Sequence, residues 1–405
     1  MGSEMCIRDR QGLAIAKEVG DKESEGRAYW KLGIAYSSLY DFSKVIEFYQ
    51  KNVSIAKQVE DKKSQEKGYI NLARVYSSHG DYRKAIEFYQ QGLTIAKEVG
   101  DKETEIMAYW NLGIAYSSLY DFSKAIEFYQ KNVSIAKEVE DKKSEEEGYI
   151  NLAWVYSSRG DFRKVVEFHQ QGLAIAKEVG DKETERMAYW NLGIAYSSLY
   201  DFPKTIEFYQ KNVSIAKEIG NKKSEAIGYI KLGCLDNSRC DFREVIEFNQ
   251  KGLVIAKEIE DKVLEGKAYF HLGEVSSSLC GFPNAIEFYQ KNGNIANEIG
   301  NRKLEKKVYV NVCCMYDSRG DYRKAIEFYQ HGLTITKEVE DKETAERAYW
   351  NLGGAYSSLY DFPKAVEFYQ KNVSIAKEIG NKKSEKMGYN VLGCVYCERK
   401  LVSPN

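Results

Sequence analysis

Residues Asp101–Glu140 read DKETEIMAYWNLGIAYSSLYDFSKAIEFYQKNVSIAKEVE, and Asp181–Gly220 repeat that stretch with five changes. The same spacing continues through the chain. Full units open at Asp21, Asp61, Asp101, Asp141, Asp181, Asn221, Asp261, Asn301 and Asp341. That makes nine full units from 21 to 380, with the tail of an earlier unit at 11–20 and the front of a later one at 381–400. Such periodicity marks an array in which each unit buries its apolar face on its neighbours. The 405 residues therefore read as one array, not as the two or three domains that length alone implies.

Each unit predicts two helices. Asp or Asn at every unit start suits a helix N-cap, and the Gly or Glu before it marks the preceding helix end. A first helix is expected over roughly 102–119, with Tyr109, Leu112, Gly113 and Tyr116 on one face at i, i+3, i+4, i+7. A break follows at Leu119-Tyr120, or at Gly80 and Gly160 in sister units, and Asp121 caps the second helix. Phe122, Ala125, Phe128, Tyr129, Val133 and Ala136 form its apolar stripe, while Pro203, Pro283 and Pro363 fall in first turns where proline is tolerated. The fold class is all-α. A superposed period of two units shows in Trp30, Trp110, Trp190 and Trp350, against Ile70, Ile150, Ile230 and Val310 in the intervening units.

The run Tyr109-x-x-Leu112-Gly113-x-x-Tyr116, followed by Ala125-x-x-x-Tyr129, resembles the tetratricopeptide repeat signature, with Tyr in place of the usual Trp. The longer unit is similar to the repeats of the LGN/Pins polarity adaptors and of arrays such as tetratricopeptide repeat protein 28. The resemblance covers residues 11–400 and implies a right-handed superhelical solenoid of antiparallel helix pairs, working as a cytoplasmic adaptor without a cofactor. It does not extend to residues 1–10, which read as unassigned and non-native, nor to the tail 401–405. Neither end supplies a polar cap, so the chain reads as a fragment of a longer protein.

Composition narrows the partners. Lys and Arg number 59 against 60 Asp and Glu, so the electrostatic footprint of a nucleic-acid binder is missing. The aromatic residues recur at core spacing instead of interleaving with a basic stripe. No apolar run reaches membrane-spanning length. The eight cysteines are unevenly spread, which fits a reducing compartment, and Cys394-Val-Tyr-Cys397 lacks the second pair that a zinc site needs. The four histidines occupy four different places in the repeat and pair with no nucleophile; His169 stands where a core Tyr is usual. Asn52, Asn132, Asn212 and Asn372 spell glycosylation acceptors, yet they lie on the inward stripe of the second helix. No catalytic or metal site is expected.

The remaining face of the first helix is the candidate site. In arrays of the resembled family it lines a concave groove. Here it carries Trp110 and Trp190, an Asn ladder at Asn71, Asn111, Asn151, Asn191, Asn311 and Asn351, and Ser pairs that include Ser117 and Ser157. An amide donates and accepts at once, so a ladder of them can hold the backbone of an extended peptide without demanding a sequence. The competing assignments are a bond of Asn111 to the adjacent helix, ordinary helix-end residues for the Ser pair and inter-repeat packing of Trp110. Three residues past the ladder stand Ile114, Arg74, Trp154 or Cys314, so the family's clamp for a terminal carboxylate cannot be assembled. Arg74 and Lys67 are the local candidates for an acidic peptide residue.

The expected function is a non-enzymatic scaffold binding peptide segments of partner proteins. The alternatives are a recognition array for an effector domain outside this chain, and a self-associating array. The units from 221 to 320 drift from the consensus at Asp236, Ser276, Gly281 and Gly293, so a soft joint is expected near 230–300 unless the drift is neutral.

Overall fold

An aspartate links one helix to the next at most joints, after a residue in the left-handed conformation. At Asp121 the backbone N–H donates to Tyr116 O at 2.9 Å while that of Tyr120 donates to Ser117 O at 3.0 Å, the two bonds that close a helix C-terminus around a left-handed residue. The Asp121 carboxylate accepts from Lys124 N at 3.2 Å and so opens the following helix. Tyr120 holds φ 60°, an orientation that only glycine adopts without strain, and its ring is 81% exposed. Gly80 and Gly160 supply the same turn in sister units at φ 76° and 75°.

The computed structural model describes residues 2–235, 242–338 and 340–402. They form two compact units, divided at Phe208/Tyr209. The first contains α1 (Gly2–Glu18), α2 (Lys22–Ser38), α3 (Phe42–Gln58), α4 (Lys62–Ser78), α5 (Tyr82–Val99), α6 (Lys102–Ser118), α7 (Phe122–Glu138), α8 (Lys142–Ser158), α9 (Phe162–Val179) and α10 (Lys182–Ser198). The division falls inside α11 (Phe202–Glu218). The second contains α12 (Lys222–Leu232), α13 (Phe242–Glu258), α14 (Lys262–Ser278), α15 (Phe282–Glu298), α16 (Arg302–Ser318), α17 (Tyr322–Glu338), α18 (Lys342–Ser358), α19 (Phe362–Glu378) and α20 (Lys382–Val402). Consecutive helices pack as antiparallel pairs, and no strand occurs among the described residues. This is the all-α repeat solenoid that the period predicts.

Within a pair the signature residues meet as expected. Leu112 is fully buried, and Phe128 stacks on Tyr116 with ring centroids 5.2 Å apart. A Cβ on Gly113 would stand 2.5 Å from the ring of Tyr129, so this position admits only glycine without movement. The inward asparagines tie the two helices of a pair together. Asn132, 1% exposed, donates to Ile106 O at 2.9 Å, and Asn52 and Asn372 donate equivalently to Gly26 O and Glu346 O. These glycosylation spellings are therefore structural amides. They also account for the two-unit period. Gly148 opens the next hairpin where a Cβ would sit 2.4 Å from Val133 and 2.7 Å from Asn132 Oδ1, so a unit bearing Asn-Val must be followed by one bearing Gly. Where Val308 takes that glycine's place, Gly293 takes the place of the valine.

Three regions differ from the sequence expectation. Residues Gly2–Arg10, unlike any repeat, continue α1 as helix, because extending a formed helix costs far less than starting one. At the other end α20 runs on to Val402, since Lys400 and Leu401 replace the turn residue and the capping aspartate. The largest departure is α12, which stops at Leu232. Asn249, at the register of Tyr129, donates to Gly233 O at 2.8 Å and to Val245 O at 2.9 Å. Asp236 and Cys240 lie outside the described residues. Elsewhere in the drifted stretch α14, α15 and α16 keep full length, although Gly281 offers α15 no side-chain cap.

His169 is buried in the place of a tyrosine, and burial lowers its pKa to about 4 from 6.5. The unfolded chain takes up the proton below pH 6.5 and the native state does not until about pH 4, so the stability involved is present above 6.5 and lost as pH falls through that window. Urea denaturation should show the chain losing about 2 kcal/mol more between pH 7 and pH 5 than the His169→Tyr variant. Gly113→Ala should cost about 1–3 kcal/mol through the Tyr129 clash. Gly172→Ala, where a Cβ meets nothing within 4 Å, should instead gain up to about 1 kcal/mol. Thermal melts of the two variants give the comparison.

Candidate functional site

The first helices of the first unit carry the cleft. A cavity of about 650 Å³ is lined by Trp30 from α2, Glu66, Asn71 and Arg74 from α4, Met107 and Trp110 from α6, and Glu147 from α8. Helix starts at Asp101 and Asp141 complete its wall. Asn71, Arg74 and Trp110 are thus brought together from among the residues expected in the groove.

The ladder asparagines are half-buried along the same helices. Asn111 donates one amide hydrogen to Met107 O at 2.8 Å, and Asn151 donates to Glu147 O at 2.7 Å. Each amide is thereby tied to its own helix one turn back and held in a fixed direction. Asn191 and Trp190 occupy the equivalent half-buried places on α10. Asn311 and Asn351 do so in the second unit, where Asn351 hydrogen-bonds the Tyr329 phenol.

The tryptophans divide their surface. Trp110 packs against the cluster of Ala125, Tyr129 and Val133, and its indole N–H is buried without a partner. Trp350 meets Tyr369 edge-on at 5.4 Å. Packing between repeats therefore takes one face of these rings. Ser117 is turned inward, 5% exposed, beside the Tyr129 phenol, whose pKa burial pushes up to about 12. Ser157, its counterpart, is exposed. Arg74 directs Nη2 to Met107 Sδ at 2.6 Å.

Sequence reasoning missed Glu66 and its equivalent Glu146. They are 1% and 8% exposed, and each has one carboxylate oxygen buried without a partner. Burial raises the pKa of both. The available signal was an acid recurring at the same inward register two units apart, obscured by the many surface glutamates of each unit. A second cavity of about 630 Å³, in the second unit, is lined by Cys234, His271 and Glu274. His271 Nδ1 lies 3.0 Å from Glu274 Oε2, but burial raises the Cys234 thiol, the opposite of an activated nucleophile.

Tetratricopeptide repeat models match residues 46–98, 104–178, 314–343 and 346–379. The chain is a tetratricopeptide repeat protein. As such it is a protein-interaction repeat scaffold, of a fold that is typically non-enzymatic. The sequence finds no match among curated proteins. Among solved structures, a signal transduction ATPase with numerous domains and a tetratricopeptide repeat sensor, from Pyrococcus horikoshii, is similar with TM-score 0.54 at 16% identity. The similarity covers 90% of this chain and 55% of that one, so this tetratricopeptide array spans about half the length of that protein. Aspartyl phosphate phosphatase F from Bacillus subtilis gives TM-score 0.50 at 13% identity, covering 85% and 91% of the two chains. The quorum sensor NprR from B. thuringiensis gives 0.46 at 15%, covering 89% and 99%. Identities this low show the fold alone. Among the described residues no helix is long and apolar enough to cross a membrane.

Proposed function

We propose that the chain is a non-enzymatic scaffold that holds an extended peptide segment of a partner protein along the first helices of the first unit. The cleft of about 650 Å³ on α2, α4, α6 and α8 carries this reading. It offers indole surface, the amide of Asn71 and charged side chains on successive first helices, the combination of apolar area and polar groups that peptide recognition requires. Neighbouring helices stack about 8–10 Å apart and an extended chain advances about 3.3 Å per residue, so one ladder asparagine meets roughly every third peptide residue. Asn111 and Asn151 each use one amide hydrogen internally and retain an oxygen and a second hydrogen for the peptide backbone. Cytoplasmic work fits the cysteines, which are free among the described residues.

A second reading, the recognition arm of a larger protein, is favoured by the likeness to the Pyrococcus horikoshii protein, whose description names such repeats as a sensor. Both readings use the same groove. Replacing Asn111, Asn151 and Asn191 together with Ala should lower the capture of displayed peptides at least about tenfold, the loss of two or three hydrogen bonds. Circular dichroism should show the helical content unchanged. Capture equal to that of the parent chain would remove the groove from consideration.

A further inference from the structure

We propose that the cleft of the first unit receives a cationic side chain, lysine or arginine, of the bound segment, with Glu66 as its receptor. Glu146 takes a second such side chain two repeats further on. This deepens the peptide-groove reading above and rests on it.

The chain itself shows what this register demands. Glu66, Glu146, Lys306 and Glu346 occupy the same place in their repeats, each facing the capping residue of the next unit. Lys306 forms an ion pair with the capping Asp341. Glu346 is satisfied by the opposite exchange: the capping residue is Asn381, which donates to Glu346 Oε2 at 3.3 Å, while Asn372 donates to Oε1 at 3.0 Å and Ser384 adds a further bond. A cation with an acid, or an acid with an amide, closes the site from within. At Glu66 and Glu146 both partners are acids, Asp101 and Asp181, and each repels its glutamate. Thr104 serves the Glu66 carboxylate, yet Oε2 accepts nothing although Glu66 is only 1% exposed. No cationic side chain of the cleft meets the Glu66 carboxylate by a direct contact, so the chain leaves this place open to a charge from a bound segment.

The cleft around Glu66 suits a long cationic side chain. Five carboxylates and three cations line it. Of the cations, Arg74 is turned to Met107 Sδ, and Lys63 and Lys67 act on Glu66 only through space. Trp30 and Trp110 stand in the same wall with unpartnered indole N–H groups. Indole faces stabilise an ammonium or guanidinium and cover its alkyl stem. A cavity of about 650 Å³ has room for such a side chain and its backbone, far more than a bare ion fills. Two repeats span about 20 Å, so the two cationic residues should stand about six apart in an extended segment.

Random twelve-residue peptides displayed against the full chain provide the test, with binding of one enriched peptide then measured to variants. Enrichment of Lys or Arg, in pairs about six apart, is the expected result. Glu66→Gln should weaken that peptide roughly thirtyfold and leave the melting temperature equal or higher. A carboxylate kept only for structure would lower it on removal, and that outcome overturns the proposal. Asp101→Asn keeps the cap, as Asn381 does, and recreates the self-satisfied arrangement of Glu346. It should likewise lose affinity without losing stability, and retained affinity in both variants overturns the proposal. Enriched peptides without cations reject the inference and leave the groove standing, whereas no enrichment at all rejects both. Binding abolished by a chelator assigns the pocket to a metal ion and also overturns the inference.

Discussion

The aspartate at each helix joint sets the terms for the rest of the structure. Its backbone closes one helix and its side chain opens the next, so a joint of three residues, such as 119–121, turns the chain. That economy fixes the length of nearly every helix, and with it the length of the repeat. Where the aspartate changes, the joint changes with it. Gly281 keeps the backbone bonds to Ser276 O and from Ala285 N but gives no side-chain cap. At Leu401, with no turn residue before it, the helix simply continues.

The same residue reaches the candidate site. A capping carboxylate is an acid placed at the start of a first helix, directly beside the inward register of the preceding repeat. That register carries Lys306 against Asp341, Glu346 against Asn381, and Glu66 against Asp101. In the first two the charges are matched within the chain. In the third a buried carboxylate faces another, an arrangement that costs stability unless something else is bound or a proton is held. Cleft and unmatched charge coincide at Glu66, and this separates the first unit from a uniform stack of hairpins.

Alternation between units has an equally local origin. Asn132 crosses to Ile106 O and, with Val133, fills the space beside the next first helix, so that helix must present Gly148. The tryptophans follow the same alternation and lend one face to the core. A unit carrying Ala108 and Asn132, stacked on a copy of itself, would force a Cβ into Asn132 Oδ1 and Val133, so in this chain it is followed by a unit carrying glycine.

Helix positions, their boundaries to within a residue or so, and the inward stripes were legible in one copy of the repeat, because cap, period and apolar spacing are local properties repeated many times. The helical face bearing Asn71, Arg74 and Trp110 was legible for the same reason. Three things were not. Ser117 and Ser157 each open the Ser pair that follows a tyrosine, yet one is buried beside Tyr129 and the other is exposed. The end of α12 at Leu232 is met by a bond from Asn249 of the following helix to Gly233 O, a contact between residues sixteen apart. The unmatched carboxylate of Glu66 depends on what the next repeat places opposite it. Sequence alone determined the helices and the array, since those follow from neighbours along the chain. Tertiary structure decided which polar groups are satisfied, since hydrogen bonds and charges are settled between residues that only packing brings together.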